Sequence, residues 1–306
     1  MKTQTVFERE LLNVNNHPII QYEDLFNSLD IQENTRKDYL YRVPHFIAFI
    51  KNQGFSHETY IRYKKYLSAL NTLSISTKNK LLITAKILLR ELVKRGVIPD
   101  ITSNVRLFTD TRKHKRAGID EGEMNVILSY LIKLEVTQEN LRLKSLFALL
   151  IYQGLRISEI VSIAHRDIDL IRNTLHVKGK GNDHKELVYL NPKTANIIKQ
   201  YLDIHRLSDG WLFPCQSNNG RGKHITTRTM QNLITDVLSD LHIDKSCHAF
   251  RHFFVTRLIK EYKSDLTQVM VYSRHKSLSM LTVYNDTMNH EKDLPKYYNS
   301  FSDISM

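Results

Sequence analysis

Only one stretch of the chain has a clear period of two. Residues 167 to 192, DIDLIRNTLHVKGKGNDHKELVYLNP, alternate apolar and polar positions on both sides of GKGND, a pattern that suits strands and not helices. The glycines at its centre predict a hairpin turn. Elsewhere apolar residues recur at three and four. In ENTRKDYLYRVPHFIAFIKNQ, residues 33 to 53, Tyr39, Val43, Phe46, Ile47 and Ile50 share one helical face, Gly54 stops the helix and Pro44 predicts a kink. A second helix is expected over His57 to Leu70. A third is expected from Thr77 to Arg95, with Leu81, Leu82, Ala85, Leu88, Leu89 and Leu92 on one face and Gly96 as its end. Helical patterns return at 120 to 133, at 140 to 153 and from Lys193 onward. The expected fold is therefore mainly α: a helical bundle, then a mostly helical domain with a small antiparallel sheet.

The helical pattern breaks between Arg106 and Gly118. RLFTDTRKHKRAG has no apolar period and sets Arg106, Arg112, Lys113, Lys115 and Arg116 against Asp110 alone. A chain of 306 residues exceeds the usual size of one core. The expected organisation is a helical domain over 1–105, a basic linker over 106–118 and a second domain over 119–306. The linker reads equally as a solvated tether or as a phosphate contact made by Arg112, Lys113, Lys115 and Arg116. A formal charge of +12 favours polyanions, of which nucleic acid is the commonest. Only Cys215 and Cys247 are present, which suggests neither a disulfide framework nor a zinc site. MKTQTVFERELLNV lacks the apolar core of a signal peptide, and the apolar run from Leu146 to Tyr152 is too short to span a bilayer. The expectation is a soluble, unexported protein of the cytoplasm with no membrane partner.

GLRISEI, residues 154 to 160, puts Arg156 between apolar neighbours at the end of an apolar helix. A part-buried guanidinium needs an anion, and Glu159 could be that anion within the protein. The company of Arg156 suggests another. Lys180 lies in the hairpin turn, His248 and Arg251 stand three residues apart in HAFRH, and Tyr284 follows His275 by nine residues. Three-residue spacing makes His248 and Arg251 neighbours on a helix face. Such a set suits a phosphodiester: guanidiniums grip the non-bridging oxygens, histidines move protons and a phenol attacks. It requires no metal and no cofactor. Phe250 and His252 read as packing residues.

GLRISEI, GKGN, HAFRH and the interval from His275 to Tyr284 resemble, in the same order, the catalytic boxes of the tyrosine recombinases, the λ-integrase-like or Xer-like site-specific recombinases. ENTRKDYLYRVPHFIAFIKNQG resembles the first helix of their core-binding domain. The resemblance implies a SAM-like N-terminal bundle and a catalytic domain of the DNA breaking-rejoining fold. It makes Arg156 and Arg251 the phosphate-binding arginines and Lys180, rather than nearby Lys178, the general acid. His248 becomes the proton-handling histidine, His275 a second phosphate contact and Tyr284 the nucleophile that forms a 3′-phosphotyrosine. Glu159 is expected to orient its neighbours. The implied partner is double-stranded DNA with a paired inverted-repeat core site, bound as a dimer per site and a homotetramer at the nucleoid, with accessory proteins as further candidates. NHEKDLPKYYNSF, near the end, resembles the segment that docks between protomers. The stretch before residue 20 is too short for an additional arm-binding domain. Many members carry glycine before the last histidine, whereas this chain has Arg274, which becomes a candidate DNA contact. A type IB topoisomerase and a catalytically silent DNA-binding regulator share these residues or this fold; the N-terminal helical bundle and the GLRISEI and HAFRH boxes argue against the first, and the complete set of catalytic residues against the second.

Overall fold

In the computed structural model, which describes residues 22–109, 118–179, 184–205, 210–217, 220, 222–263 and 265–281, the stretches of period three and four are helices. The chain divides into two units, residues 1–113 and 114–306.

The first unit contains α1 (Tyr22–Asn27), α2 (Glu33–Gln53), α3 (Thr59–Ala69) and α4 (Ile75–Lys94). The short α1 was not legible as an apolar stripe. Helix α2 has the bounds that its pattern predicts, with Pro44 inside it and Gly54 closing it. Helix α4 begins two residues before the expected Thr77, because the Ser74 hydroxyl accepts from the Thr77 N–H and fixes the start. Val43, Phe46, Tyr60, Tyr63, Leu82, Leu88, Leu89 and Leu92 are all at most 1 % exposed and form the core of this unit. The Tyr60 hydroxyl donates to the Leu82 carbonyl, which satisfies a phenol in that apolar setting. Phe108, inside the stretch read as a linker, is tied to this unit by two hydrogen bonds with the Asn79 side chain. Residues 110–117 lie outside the described part.

The second unit runs α5 (Glu121–Lys133), α6 (Gln138–Gln153), α7 (Ile157–Ile160), a 3-10 turn (His165–Asp167), β1 (Ile168–Asp169), β2 (Thr174–Lys178), β3 (Lys185–Tyr189), α8 (Pro192–His205), α9 (Thr227–Asp240), α10 (His248–Glu261) and α11 (Leu266–Ser273). Asp120 and Glu123 form a reciprocal capping box at the start of α5. The expected hairpin is present, and β1 extends it to a three-stranded antiparallel sheet in the order β1-β2-β3. Its alternation works as expected: Leu175 and Val177 are at most 1 % exposed, while His176 and Lys178 between and beyond them face solvent. The turn residues 180–183 lie outside the described part.

Helix α6 is the axis of this core. Its residues 145–151 are buried on every side, which explains an apolar run too continuous for a surface helix. Phe147 on α6 meets Phe250 on α10 edge to face at 5.5 Å. Gln153 accepts a hydrogen bond from Thr194 of α8 at 3.0 Å. These contacts fix the C-terminal end of α6 against α8 and α10. Among the described residues no helix is long and apolar enough to cross a membrane.

Candidate active site

Helix α6 ends at Gly154, whose φ of +57° is the left-handed conformation that glycine adopts most cheaply. A Cβ there would also lie 2.3 Å from the Phe254 ring, so this position excludes a side chain on two counts. The reversal buries Leu155 and places Arg156 at the N-cap of α7. Glu159, one turn into α7 and 1 % exposed, reaches back: its Oε2 accepts from the Arg156 N–H at 2.8 Å, and its Oε1 accepts from Arg156 Nη1 at 2.9 Å. The internal ion pair that the sequence allowed is therefore present. It does not bury Arg156, whose side chain stays 30 % exposed.

Helix α10 starts at His248, which is exposed, and carries Arg251 one turn later at 2 % exposure. Arg251 is oriented by backbone: Nη1 donates to the Gly154 carbonyl at 2.8 Å and Nη2 to the Ser273 carbonyl at 2.6 Å. Thus the end of α6 and the end of α11 both hold the guanidinium that α10 supplies. Arg251 Nη2 also lies 3.4 Å from His275 Nε2. A guanidinium only donates, so Nε2 is the acceptor and the ring proton sits on Nδ1, which donates to the Ser273 hydroxyl at 2.7 Å.

Burial lowers the His275 pKa, and the charges of Arg251, Arg156, His248 and Arg274 lower it further, to about 4. At neutral pH His275 is an uncharged imidazole. Glu159 goes the other way. Burial alone would raise its carboxyl, but the Arg274 charge, the N–H of Arg156, the Arg274 hydrogen bond and the Arg156 charge together hold it below the usual carboxylate value.

Arg274, the candidate DNA contact, is enclosed. Its side chain is 9 % exposed, its Nη2 lies 2.8 Å from Glu159 Oε2 and its Nη1 lies 3.9 Å from Glu186 Oε2. It caps α11 with φ +55° and ψ +43°. Phe250 is fully buried, and the half-buried His252 packs beside Gly118, with its Nδ1 3.4 Å from the Thr256 hydroxyl. Lys180, Tyr284, Arg112, Lys113, Lys115 and Arg116 lie outside the described residues.

The structure thus brings Arg156, His248, Arg251 and His275 together from three separate parts of the chain. It adds three members that the sequence did not single out: the Gly154 carbonyl, Ser273 and the link from Arg274 to Glu159. Ser273, two residues before His275 in SRH, was the one with a local signal. Among the described residues, no three His, Cys, Asp or Glu side chains group as metal ligands. Guanidiniums at 156 and 274 share one enclosed carboxylate, the guanidinium at 251 lies against a neutral imidazole, and of the three Arg156 opens outward.

Residues 118–291, more than half of the chain, match the phage integrase family. The tyrosine recombinase XerC of Herpetosiphon aurantiacus is 29 % identical over 154 residues, which cover 49 % of this chain and 50 % of that protein. The XerC of Chlamydia caviae is 34 % identical over 147 residues, 46 % of each chain. The chain spans about half the length of the curated relatives it matches. The Tn1549 transposon integrase, solved in complex with transposon right end DNA, superposes with a TM-score of 0.71 at 13 % identity, over 92 % of this chain and 98 % of that one. This last likeness shows a shared fold.

Proposed function

The chain belongs to the phage integrase family, and on that premise we propose that it is a site-specific recombinase that cuts and rejoins double-stranded DNA. In this reading Tyr284 attacks the scissile phosphate, forms a 3′-phosphotyrosine and releases a 5′-hydroxyl, and exchange of strands passes through a Holliday junction. The observation that carries it is the convergence of Arg156, Arg251, His248 and His275 on one cationic site, oriented by backbone carbonyls and by Glu159.

Arg156 and Arg251 grip the non-bridging oxygens and stabilise the charge that grows on the pentacoordinate phosphorane. A phenol titrates near ~10, so Tyr284 needs a proton acceptor, and exposed His248 takes that part. His275, a neutral ring whose Nε2 accepts from Arg251, keeps that guanidinium in orientation, and it contacts the phosphate only once Nε2 carries a proton to donate. Lys180 protonates the departing 5′-oxygen. Arg112, Lys113, Lys115 and Arg116 contact DNA phosphates. The substrate is a paired inverted repeat bound by two copies, and four copies assemble on two sites at the nucleoid, with or without accessory proteins.

A supercoiled plasmid carrying two copies of an inverted repeat taken from the DNA beside the gene separates this reading from its rivals. A recombinase yields two resolved circles or an inverted segment. Relaxation without exchange identifies a topoisomerase, and binding with intact strands identifies a silent regulator.

A further inference from the structure

We infer that Arg274 is a positioning residue that shares the Glu159 carboxylate with Arg156, so that Arg156 keeps the positive charge it needs for phosphate. The inference rests on the recombinase reading and gives it a device of this chain's own.

Three observations lead to it. First, Arg274 occupies a left-handed position, φ +55° and ψ +43°, immediately before His275. That conformation costs an ordinary residue about 1 kcal/mol or more and glycine almost nothing, so a long side chain at this place needs a compensating role. Second, that side chain is enclosed, and it makes its one strong contact with Glu159, at 2.8 Å, 115 residues away. Its Nε and Nη1 have no hydrogen-bond acceptor among the described residues. A guanidinium buried only to hold the fold would have its donors satisfied. Third, the carboxylate is shared between the two guanidiniums: Oε1 accepts from Arg156 Nη1, while Oε2 accepts from Arg274 Nη2 and from the Arg156 backbone N–H.

The charges decide what the sharing does. Glu159 paired with Arg156 alone would offset most of the charge of the one guanidinium that opens outward. With Arg274 on the other oxygen, a single carboxylate serves two cations, and Arg156 retains a net attraction for an anion. Glu186, 39 % exposed and 3.9 Å from Arg274, is too far and too solvated to cancel this.

Arg274→Gly makes the test sharp, because glycine suits φ +55° and cannot harm the cap. The probe is a nicked duplex bearing one half of the inverted repeat, on which cleavage traps the covalent adduct in a single turnover. Arg274→Gly should fold, as judged by thermal melting, and bind the duplex within about twofold of wild type. Its cleavage should be slowed about 10- to 100-fold, as expected when a reacting group is misplaced or neutralised. Arg274→Lys should recover part of the rate. Most tellingly, Glu159→Gln added to Arg274→Gly should recover rate as well, because it removes the charge that Arg274 offsets. If Arg274→Gly cleaves as fast as a wild type that cleaves, or if Glu159→Gln slows it further, Arg274 does not act in this way. A wild type that forms no adduct overturns the recombinase reading and this inference with it.

Discussion

His275 shows how far a single side chain can be read from its surroundings. It is 8 % exposed and faces Arg251 and His248 from α10, Arg156 from the start of α7 and Arg274 beside it. Its pKa falls from 6.5 to about 4. The unfolded chain therefore binds a proton before the folded one does as the pH drops. The sign follows: this contribution to stability is intact above about 6.5 and is lost as the pH falls from there toward 4. Thermal melts from pH 7.5 to 4 should show that decline in the wild type, and His275→Gln should flatten it. Parallel curves for the two proteins would mean that His275 does not carry a lowered pKa. The part of the site legible at this scale was local: His248 and Arg251 stand one helical turn apart, and GLRISEI puts Arg156 next to its carboxylate. The bond from Arg274 to Glu159 was not legible, because it joins residues 115 positions apart and depends on a left-handed turn that an arginine does not announce.

Elements matter here mainly through their ends. Helix α6 is buried from Ser145 to Ile151 and stops at Gly154; α10 begins at His248; α11 stops at Arg274. The catalytic candidates sit at these stops and starts, where backbone carbonyls are unpaired by the helix and can orient Arg251. The periodicity of the sequence revealed where most of the helices run, and the alternation revealed β2 and β3. Strand β1, two residues long, left no pattern to read. Helix α4 also began earlier than its apolar stripe, because a serine hydroxyl and not a leucine sets its first turn. Gly154→Ala tests the junction directly. The methyl meets Phe254 and a φ of +57°, so unfolding should become easier by about 2 to 3 kcal/mol. Cleavage should also slow at temperatures where the variant stays folded, since Arg251 leans on that carbonyl. A variant with unchanged denaturant midpoint and unchanged cleavage rate would remove the junction from the account.

For the whole molecule the dominant quantity is charge. On the recombinase reading, a net +12 on 306 residues, with a stretch rich in arginine and lysine between the two units, should give a strongly salt-dependent affinity for duplex DNA. Plotted as log affinity against log salt, the slope should be steep, about −0.9 for each phosphate neutralised. Alanine at Arg112, Lys113, Lys115 and Arg116 together should make it shallower by about 0.9 for every phosphate that is no longer neutralised, with little change in which sequence is preferred. An equally steep slope in that variant would return the stretch to the role of a tether. The chain divides into two units after residue 113. The closing of Glu159 between two arginines is a property of the folded second unit, and no composition predicts it.

On the recombinase reading, this site makes a covalent bond between Tyr284 and a 3′-phosphate. The most direct measurement is to incubate the protein with a nicked duplex from the inverted repeat beside the gene, denature it in detergent, digest the adduct and locate the modified peptide by mass spectrometry. The account predicts an adduct on the peptide that contains Tyr284, attached to the 3′ side of the cut and absent from Tyr284→Phe. An adduct on another residue, an adduct that persists in Tyr284→Phe, or cleavage with no covalent species would contradict it.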